Sequence, residues 1–321
     1  MSDEQVFRVL PKQAQGTLAA ALREWLPNQS WSQIRRLVTR RHVMVSGNVC
    51  VDAGRRLKLQ DVIKILPHPA AAPPKEHDIR IHYADADVVV VEKPAGMTSI
   101  RHVEERSWPA RRKQIQPTLD ELLPRVLERQ GRSRRSRRGR PSPVRAVHRL
   151  DRETSGLMVF ARNVKAERHL GLQFRGHLTH RRYLAVVHGR VEAQTFNSRL
   201  IRDRGDGRRG STDKPDVGKH AVTHVRPLEY LGDYTLLECR LETGRTHQIR
   251  IHLAEAGHPL CGEKVYNQPY KARPRPDHSG APRLALHAAE LGFEHPASGE
   301  QKQFDMPLPP DLEEFIKRLR I

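Results

Sequence analysis

The sequence predicts an α+β protein in two parts, a small helical module with short strands followed by a larger mixed-sheet domain. Three observations lead there. Apolar residues recur at helical spacing early in the chain, a Pro-Ala stretch interrupts the pattern near residue 70, and from residue 78 onward short strand-like runs outnumber helical ones. A chain of 321 residues is also long enough for about two domains.

The first part spans residues 16–66. In "TLAAALREWL", Leu18, Leu22, Trp25 and Leu26 share one helical face. A second helix is written in "SWSQIRRLVTRR", with Ser30 as N-cap and Ile34, Leu37 and Val38 pointing inward. Arg35, Arg36, Arg40 and Arg41 crowd its other turns. "HVMVSGNVCVD" alternates on both sides of Ser46-Gly47-Asn48 and reads as a hairpin, and "LKLQDVIKIL" closes the part as a further strand. Residues 67–77 carry no core-forming pattern and are expected to be a linker.

The second part spans residues 78–321. "DADVVVVEKPAGM" is a buried strand ending in a Pro-Ala-Gly turn; "GLMVFAR", "RYLAVVHG" and "YTLLECRLETG" are further strands. Helices are expected at Lys165 to Arg175, from about His247 to Glu255, and at Leu312 to Leu319. A basic insertion occupies residues 101–143. Within it, the first half of "RKQIQPTLDELLPRVLERQGRSRRSRRGRPSP" can be a helix through Leu119, Leu122, Leu123 and Val126, and the stretch ends in "GRSRRSRRGRPSP", too charged to fold alone and read as a mobile loop. No internal repeat is present.

The formal net charge of +20 calls for a polyanionic partner, and nucleic acid leads that class. Aromatic residues make up only 5% of the chain, too few for an open sheet that stacks several bases, so an enclosed pocket for one base fits better. The three cysteines, Cys50, Cys239 and Cys261, lack paired or metal-ligand spacing, which fits a reducing compartment and argues against zinc. No apolar run approaches the roughly 18 residues of a membrane span, and the start "MSDEQVFRVLPK" reads as neither a signal nor a transit peptide. A cytoplasmic monomer without membrane contact is expected.

The chemistry concentrates around Asp151 in "RAVHRLDRETSGLMVFARN". An Asp in such a place is often only a turn or cap residue. Here His148 and Arg149 precede it, and the Thr154-Ser155-Gly156 bend sends a strand away at once, so the acid faces a cleft. A working carboxylate there needs a fixed cation. "ETGRTHQIRIHLAEAGHPLCGEKVY" offers Arg245, His247, Arg250 and His252, on a helix whose apolar face is Ile249, Leu253 and Ala256. Taken alone, that helix also suits phosphate binding. His247 and His252 are five residues apart with no acid at ligand spacing, so no metal is expected.

"HRLDRETSGLMVFAR" resembles the central motif of the RluA-type pseudouridine synthases, which isomerise uridine in large-subunit ribosomal RNA and some transfer RNAs. "VVVVEKPAGM" before it, "RRYLAVVHG" and "LETGRTHQIRIHLAEAGHPLCGEKVY" after it, and "RLALHAAELGFEHPASGE" near the end agree in order, covering most of residues 78–310. Residues 16–66 resemble the small RNA-binding module named after a small-subunit ribosomal protein, the alpha-L motif. The resemblance implies a mixed, mainly antiparallel sheet with flanking helices, the pseudouridine synthase fold. It makes Asp151 the catalytic aspartate, Tyr183 the active-site tyrosine and Arg250 the partner of the aspartate, and places Arg149 near the position vacated by a flipped base. Arg35, Arg36, Arg40, Arg41, Arg245 and His247 are then the expected RNA contacts. Two departures stand out: Arg181 occupies a position where many members have Lys, and the segment from Met97 to Arg145 is longer and more basic than the family's usual loop.

The implied reaction detaches uracil from ribose at nitrogen, turns it, and rejoins it through a ring carbon, with nothing consumed and no cofactor. Asp151 can attack the anomeric carbon, attack the pyrimidine ring, or remove a ribose proton, and the sequence does not choose among these. Tyr183 would stack on the flipped uracil and can assist removal of the final ring proton. Large-subunit ribosomal RNA of the 23S type is the favoured substrate, with transfer RNA as the other RNA class. A non-catalytic RNA-binding or ribosome-assembly factor is the rival reading. A DNA-binding regulator would need a recognition-helix pair, and a hydrolase a Gly-x-Ser-x-Gly elbow; neither is present.

Overall fold

The computed structural model describes residues 5–46, 48–70, 72–132, 142–267 and 276–320. The chain divides into two compact units: unit 1 comprises Met1–Ala72, Trp108–Gln116 and Arg202–Arg208, and unit 2 comprises Pro73–Ser107, Pro117–Ile201 and Arg209–Ile321. The break falls inside the Pro-Ala stretch. Most of "GRSRRSRRGRPSP", residues 133–141, lies outside the described residues.

Unit 1 is built from β1 (Gln5–Arg8), α1 (Leu18–Trp25), α2 (Trp31–Thr39), β2 (Val43–Val45), β3 (Asn48–Val49), β4 (Val62–Ile65) and α3 (Ala110–Ile115). Each of the first two helices starts on a hydroxyl that satisfies a free backbone N–H. Thr17 accepts from the Ala20 amide at 3.2 Å, and Ser30 and Gln33 form a reciprocal capping box of 3.2 and 2.6 Å. Leu18, Leu22, Ile34 and Val38 are fully buried against Val43, Val45 and Ile63 of the sheet, whose order is β1-β4-β2-β3. Leu37 is only half-buried.

The expected start at residue 16 leaves out β1, a strand of four residues whose Phe7 lies opposite Ile63 and stacks on Trp25 at 4.9 Å. The last expected strand shortens to β4, because Lys58 to Asp61 is a turn with Gln60 at φ 68°. Arg41 is not on the helix as expected. Helix α2 ends at Thr39, Arg40 caps it, and Arg41 follows at φ 68° with its guanidinium donating to the Ala70 carbonyl.

Unit 2 holds an eleven-stranded sheet formed by β5 (Arg80–Ala84), β6 (Val88–Lys93), β7 (Arg145–Ala146), β8 (Ser155–Ala161), β9 (His180–His188), β10 (Gln194–Ile201), β11 (Gly210–Thr212), β12 (Lys219–Leu231), β13 (Tyr234–Leu241), β14 (Leu286–Glu294) and β15 (Gln301–Asp305). The order is β11-β10-β12-β13-β9-β14-β8-β6-β5, with β15 on β14 and β7 on β8. Among the described strand pairs of this sheet only β8 and β14 run parallel; the others are antiparallel. Its helices are α4 (Leu119–Arg129), α5 (Val164–Arg175), α6 (Gln248–Glu255) and α7 (Pro310–Leu319).

The runs "VVVV" and "GLMVFA" are apolar at every position because both faces of the sheet's centre are covered. Val89, Val91, Met158 and Phe160 pack with Leu119, Leu123 and Leu253 on one face. Val88, Val90, Leu157 and Val159 pack with Ala166 and Leu170 on the other. Among the described residues no helix is long and apolar enough to cross a membrane.

Candidate active site

Asp151 occupies the turn between β7 and β8, and the residues on either side of it are clamped to the segment after β6. Ser99 Oγ donates to the Leu150 carbonyl at 2.7 Å and accepts from the Leu150 amide at 3.1 Å. The Arg152 carbonyl accepts from the Gly96 amide at 2.8 Å and from Lys93 Nζ at 3.0 Å. Lys93 is fully buried and also donates to the carbonyls of Pro94 and Met97, so three acceptors match the three N–H bonds of an ammonium. Burial pushes its pKa down to about 7, while Glu153 and Asp151 push the other way. Sequence alone gives Lys93 and Ser99 no role, because the turn they clamp lies more than fifty residues away.

The bend after Asp151 has a steric cause. Gly156 has φ +120°, and a Cβ there would lie 2.2 Å from the Ala288 carbonyl oxygen, where β8 meets β14. Ala288 also lies opposite Tyr183 of β9, so β14 separates the strand leaving Asp151 from the strand carrying the tyrosine. Asp151, Tyr183 and Arg250 thereby line one cavity of about 360 Å³, within the range of sites that bury a small molecule.

Arg250 approaches Asp151 at 3.5 Å, but its stronger partner is Glu263, held by two hydrogen bonds of 2.8 and 2.7 Å. From sequence Arg250 is a partner of the aspartate alone, and the acid in "CGEKVY" goes unnoticed. Glu263 is almost fully buried and accepts further from the Val265 and Tyr266 amides. Burial raises its pKa, but the Arg250 guanidinium and these donors outweigh that, so Glu263 titrates below the usual carboxylate range. The fork holds Arg250 in place; its remaining nitrogen reaches Asp151.

His247, expected as an RNA contact, stands at φ 60° in the N-cap position of α6 with Nε2 at 3.7 Å from Asp151 Oδ1. Its Nδ1 lies 2.7 Å from the Tyr266 hydroxyl. Burial lowers the His247 pKa to about 4, so the imidazole is neutral at pH 7. The carboxylate at Nε2 favours the tautomer with hydrogen there, which leaves Nδ1 to accept from the Tyr266 phenol. Burial raises the pKa of Asp151, but His247, Arg250 and Arg149 more than reverse this, and the carboxyl titrates below its ordinary value. With His247 neutral, the two guanidinium groups are the permanent counter-charges. Tyr183 is buried, and burial raises its phenol, which stays protonated.

Of the other expected RNA contacts, Arg149 is exposed at the cavity and Arg245 lines it while donating to the His220 carbonyl at 2.9 Å. Arg35, Arg36 and Arg40 are exposed in unit 1. His252 is buried with Nδ1 on Thr223 and Nε2 on Ser198, so both ring nitrogens are taken up by hydroxyls. Among the described residues only Asp85, Asp87 and His295 bring three metal-capable atoms together, and His295 Nε2 and Asp85 already bond each other at 2.8 Å.

Comparison with known proteins points the same way. The family described as RNA pseudouridylate synthase matches residues 87–255. The chain is 37% identical over 308 residues to a Bacillus subtilis protein named as the uncharacterized RNA pseudouridine synthase YlyB, covering 94% of this chain and 92% of that protein. It is 35% identical over 310 residues to the ribosomal large subunit pseudouridine synthase D of Zymomonas mobilis, covering 95% and 94%. The solved structure of human RNA pseudouridylate synthase domain containing 4 matches in fold, with a TM-score of 0.59 at 22% identity over 75% of this chain and 93% of that one.

Proposed function

Because the chain belongs to the RNA pseudouridylate synthase family, whose members are isomerases acting on RNA, we propose that it converts uridine to pseudouridine in large-subunit ribosomal RNA with Asp151 as the reacting carboxylate. The observation that carries this reading is the ionised Asp151, gripped on both sides and faced by Arg250 at 3.5 Å, in a cavity lined also by Tyr183. Relatives of similar length are named as ribosomal large subunit pseudouridine synthases, which supports the choice of RNA.

The reaction breaks the bond between uracil N1 and the anomeric carbon, forms one from C5 to that carbon, and moves a proton from C5 to solvent while N1 gains one. Atoms and charge balance without a second substrate. Asp151 serves either at the anomeric carbon or pyrimidine ring as nucleophile, or as base toward the ribose. Tyr183, kept protonated, can stack and donate a hydrogen bond but is a poor base for the C5 proton, so that task falls to Asp151 as well. Reaching the base requires extruding it at a cost of a few kcal/mol, which the exposed Arg149 offsets by entering the gap. Unit 1, with Arg35 and Arg36 exposed on α2 and Arg40 exposed at its C-cap, acts as an alpha-L-type RNA-docking module.

A non-catalytic assembly factor has no use for a carboxylate held ionised by two guanidiniums, which disfavours that alternative. The test is to map pseudouridines in all ribosomal and transfer RNAs from cells with and without the gene. Loss of a site in large-subunit RNA, restored by the wild-type gene, is the expected result. Loss only in transfer RNA would move the substrate, and no lost site would remove the proposal.

A further inference from the structure

Arg181 is a buried cation with no carboxylate. Only 8% of it is exposed, and among the described residues no ion pair involves it. Its Nη2 donates to the Glu242 carbonyl at 3.1 Å, its guanidinium lies 5.9 Å over the Phe174 ring, and among the described residues its Nε has no partner. The Glu242 carboxylate does not serve it, being taken by His224 at 2.7 Å. Asp151 is shared between Arg250 and His247. A guanidinium out of water without an opposing charge is costly, and burial lowers the pKa of Arg181 accordingly.

The surroundings keep the place open for it. Arg181 stands two residues before Tyr183, hence on the same face of β9, and it lines the same cavity. A Cβ on Gly244 would lie 2.6 Å from Arg181 Nη1, so the glycine makes room for the guanidinium. Arg245 and Arg181 both bear on His177, and Arg175 also lines the cavity. The cavity lining thus carries several arginines and a single carboxylate, Asp151, which Arg250 and His247 already face.

We propose that Arg181, with Arg245 beside it, is a phosphate subsite that receives a phosphodiester of the target strand next to the flipped uridine. Uracil enters neutral, so the phosphodiester is the anion that RNA brings into the cavity on binding. The planar guanidinium donates to two phosphate oxygens at once in a parallel fork, a geometry an ammonium lacks, and this gives the arginine at this position a purpose. The inference rests on the RNA-modifying reading above.

The experiment compares wild type with Arg181→Met, Arg181→Lys and Gly244→Ala, using unmodified large-subunit ribosomal RNA transcribed in vitro. It measures the salt dependence of binding, single-turnover pseudouridine formation at saturating RNA, and thermal melting without RNA. For Arg181→Met the slope of log affinity against log salt should become shallower by roughly 0.7 to 0.9, the effect of one phosphate. The RNA-free protein should melt no lower than wild type, because an unpaired buried cation has been removed. Arg181→Lys should restore the slope but not the full affinity, and Gly244→Ala, which displaces the guanidinium, should weaken binding as Arg181→Met does. An unchanged slope with a collapsed saturating rate would mean that the anion served is the detached base and would overturn the subsite, and so would an unchanged slope with a lowered melting temperature, the mark of a structural role. If wild type forms no pseudouridine while the slope still falls, the functional reading fails and the phosphate subsite stands.

Discussion

Arg250 lies between two carboxylates and treats them unequally. The bidentate contact with Glu263 is short and buried, while Asp151 is met by a single nitrogen at 3.5 Å. Removing one partner of a buried pair costs about 3 to 5 kcal/mol, since the other charge is stranded. Glu263→Ala should therefore lower stability by about that amount, whereas Asp151→Ala, which leaves Arg250 on its main partner, should be close to neutral; urea denaturation of both variants checks this. Equal losses would mean that Asp151 is the structural partner.

The acid titration of stability has a readable sign at the residue scale. Asp151 is held low, so its contribution is present above the ordinary carboxylate pKa and vanishes only as pH falls through its folded value. His252 and His287 act earlier, because burial lowers both to about 4 while an unfolded histidine titrates at 6.5. The unfolded chain thus binds more protons than the native one across that interval, and stability falls as pH drops from about 6.5 to 4. His287→Met should flatten the fall by up to about 1.4 kcal/mol per pH unit in urea titrations across that range. No change would show that another group controls it.

At the scale of elements, the site depends on where three strands meet. Gly156 permits β8 to run beside β14, and a methyl group at that position meets backbone that cannot yield. Gly156→Ala should destabilise by more than about 3 kcal/mol and impair turnover with it, measured by melting and single-turnover rate. A stable, active variant would show that the bend is not constrained. Asp151, Tyr183 and Arg250 line one cavity, and they are named in the sequence because each lies in one of the ordered motifs that carry the family resemblance. Glu263, Tyr266, Lys93 and Ser99 are not, because what they do depends on partners brought close by the fold. Helix α6 illustrates the difference: its pattern shows one apolar face, yet Ile251, His252 and Ala254 on other faces are buried too. Every residue from Gln248 to Ala254 is buried, while Glu255 and the capping Ala256, expected on the apolar face, are exposed, so amphipathic spacing misjudges which residues are covered.

For the whole molecule, the two-part plan was legible from the Pro-Ala stretch, but the unit boundaries were not. Trp108–Gln116 and Arg202–Arg208 cluster with unit 1 although they are far along the chain, a long-range return that local periodicity does not encode. If unit 1 docks RNA, replacing Arg35, Arg36 and Arg40 together by Ala should make the salt slope of binding shallower by roughly 0.7 to 0.9 for each phosphate no longer neutralised, with the saturating chemical rate retained. A collapsed rate at an unchanged slope would mean that the helix supports the chemistry instead.

The central claim is that Asp151 performs the isomerisation, and the most direct measurement is single-turnover pseudouridine formation by purified Asp151→Asn on unmodified large-subunit ribosomal RNA, with binding measured alongside. The account predicts a rate lower by roughly a thousandfold or more and an affinity close to wild type, because affinity comes from arginine–phosphate contacts. Turnover near the wild-type rate would contradict it.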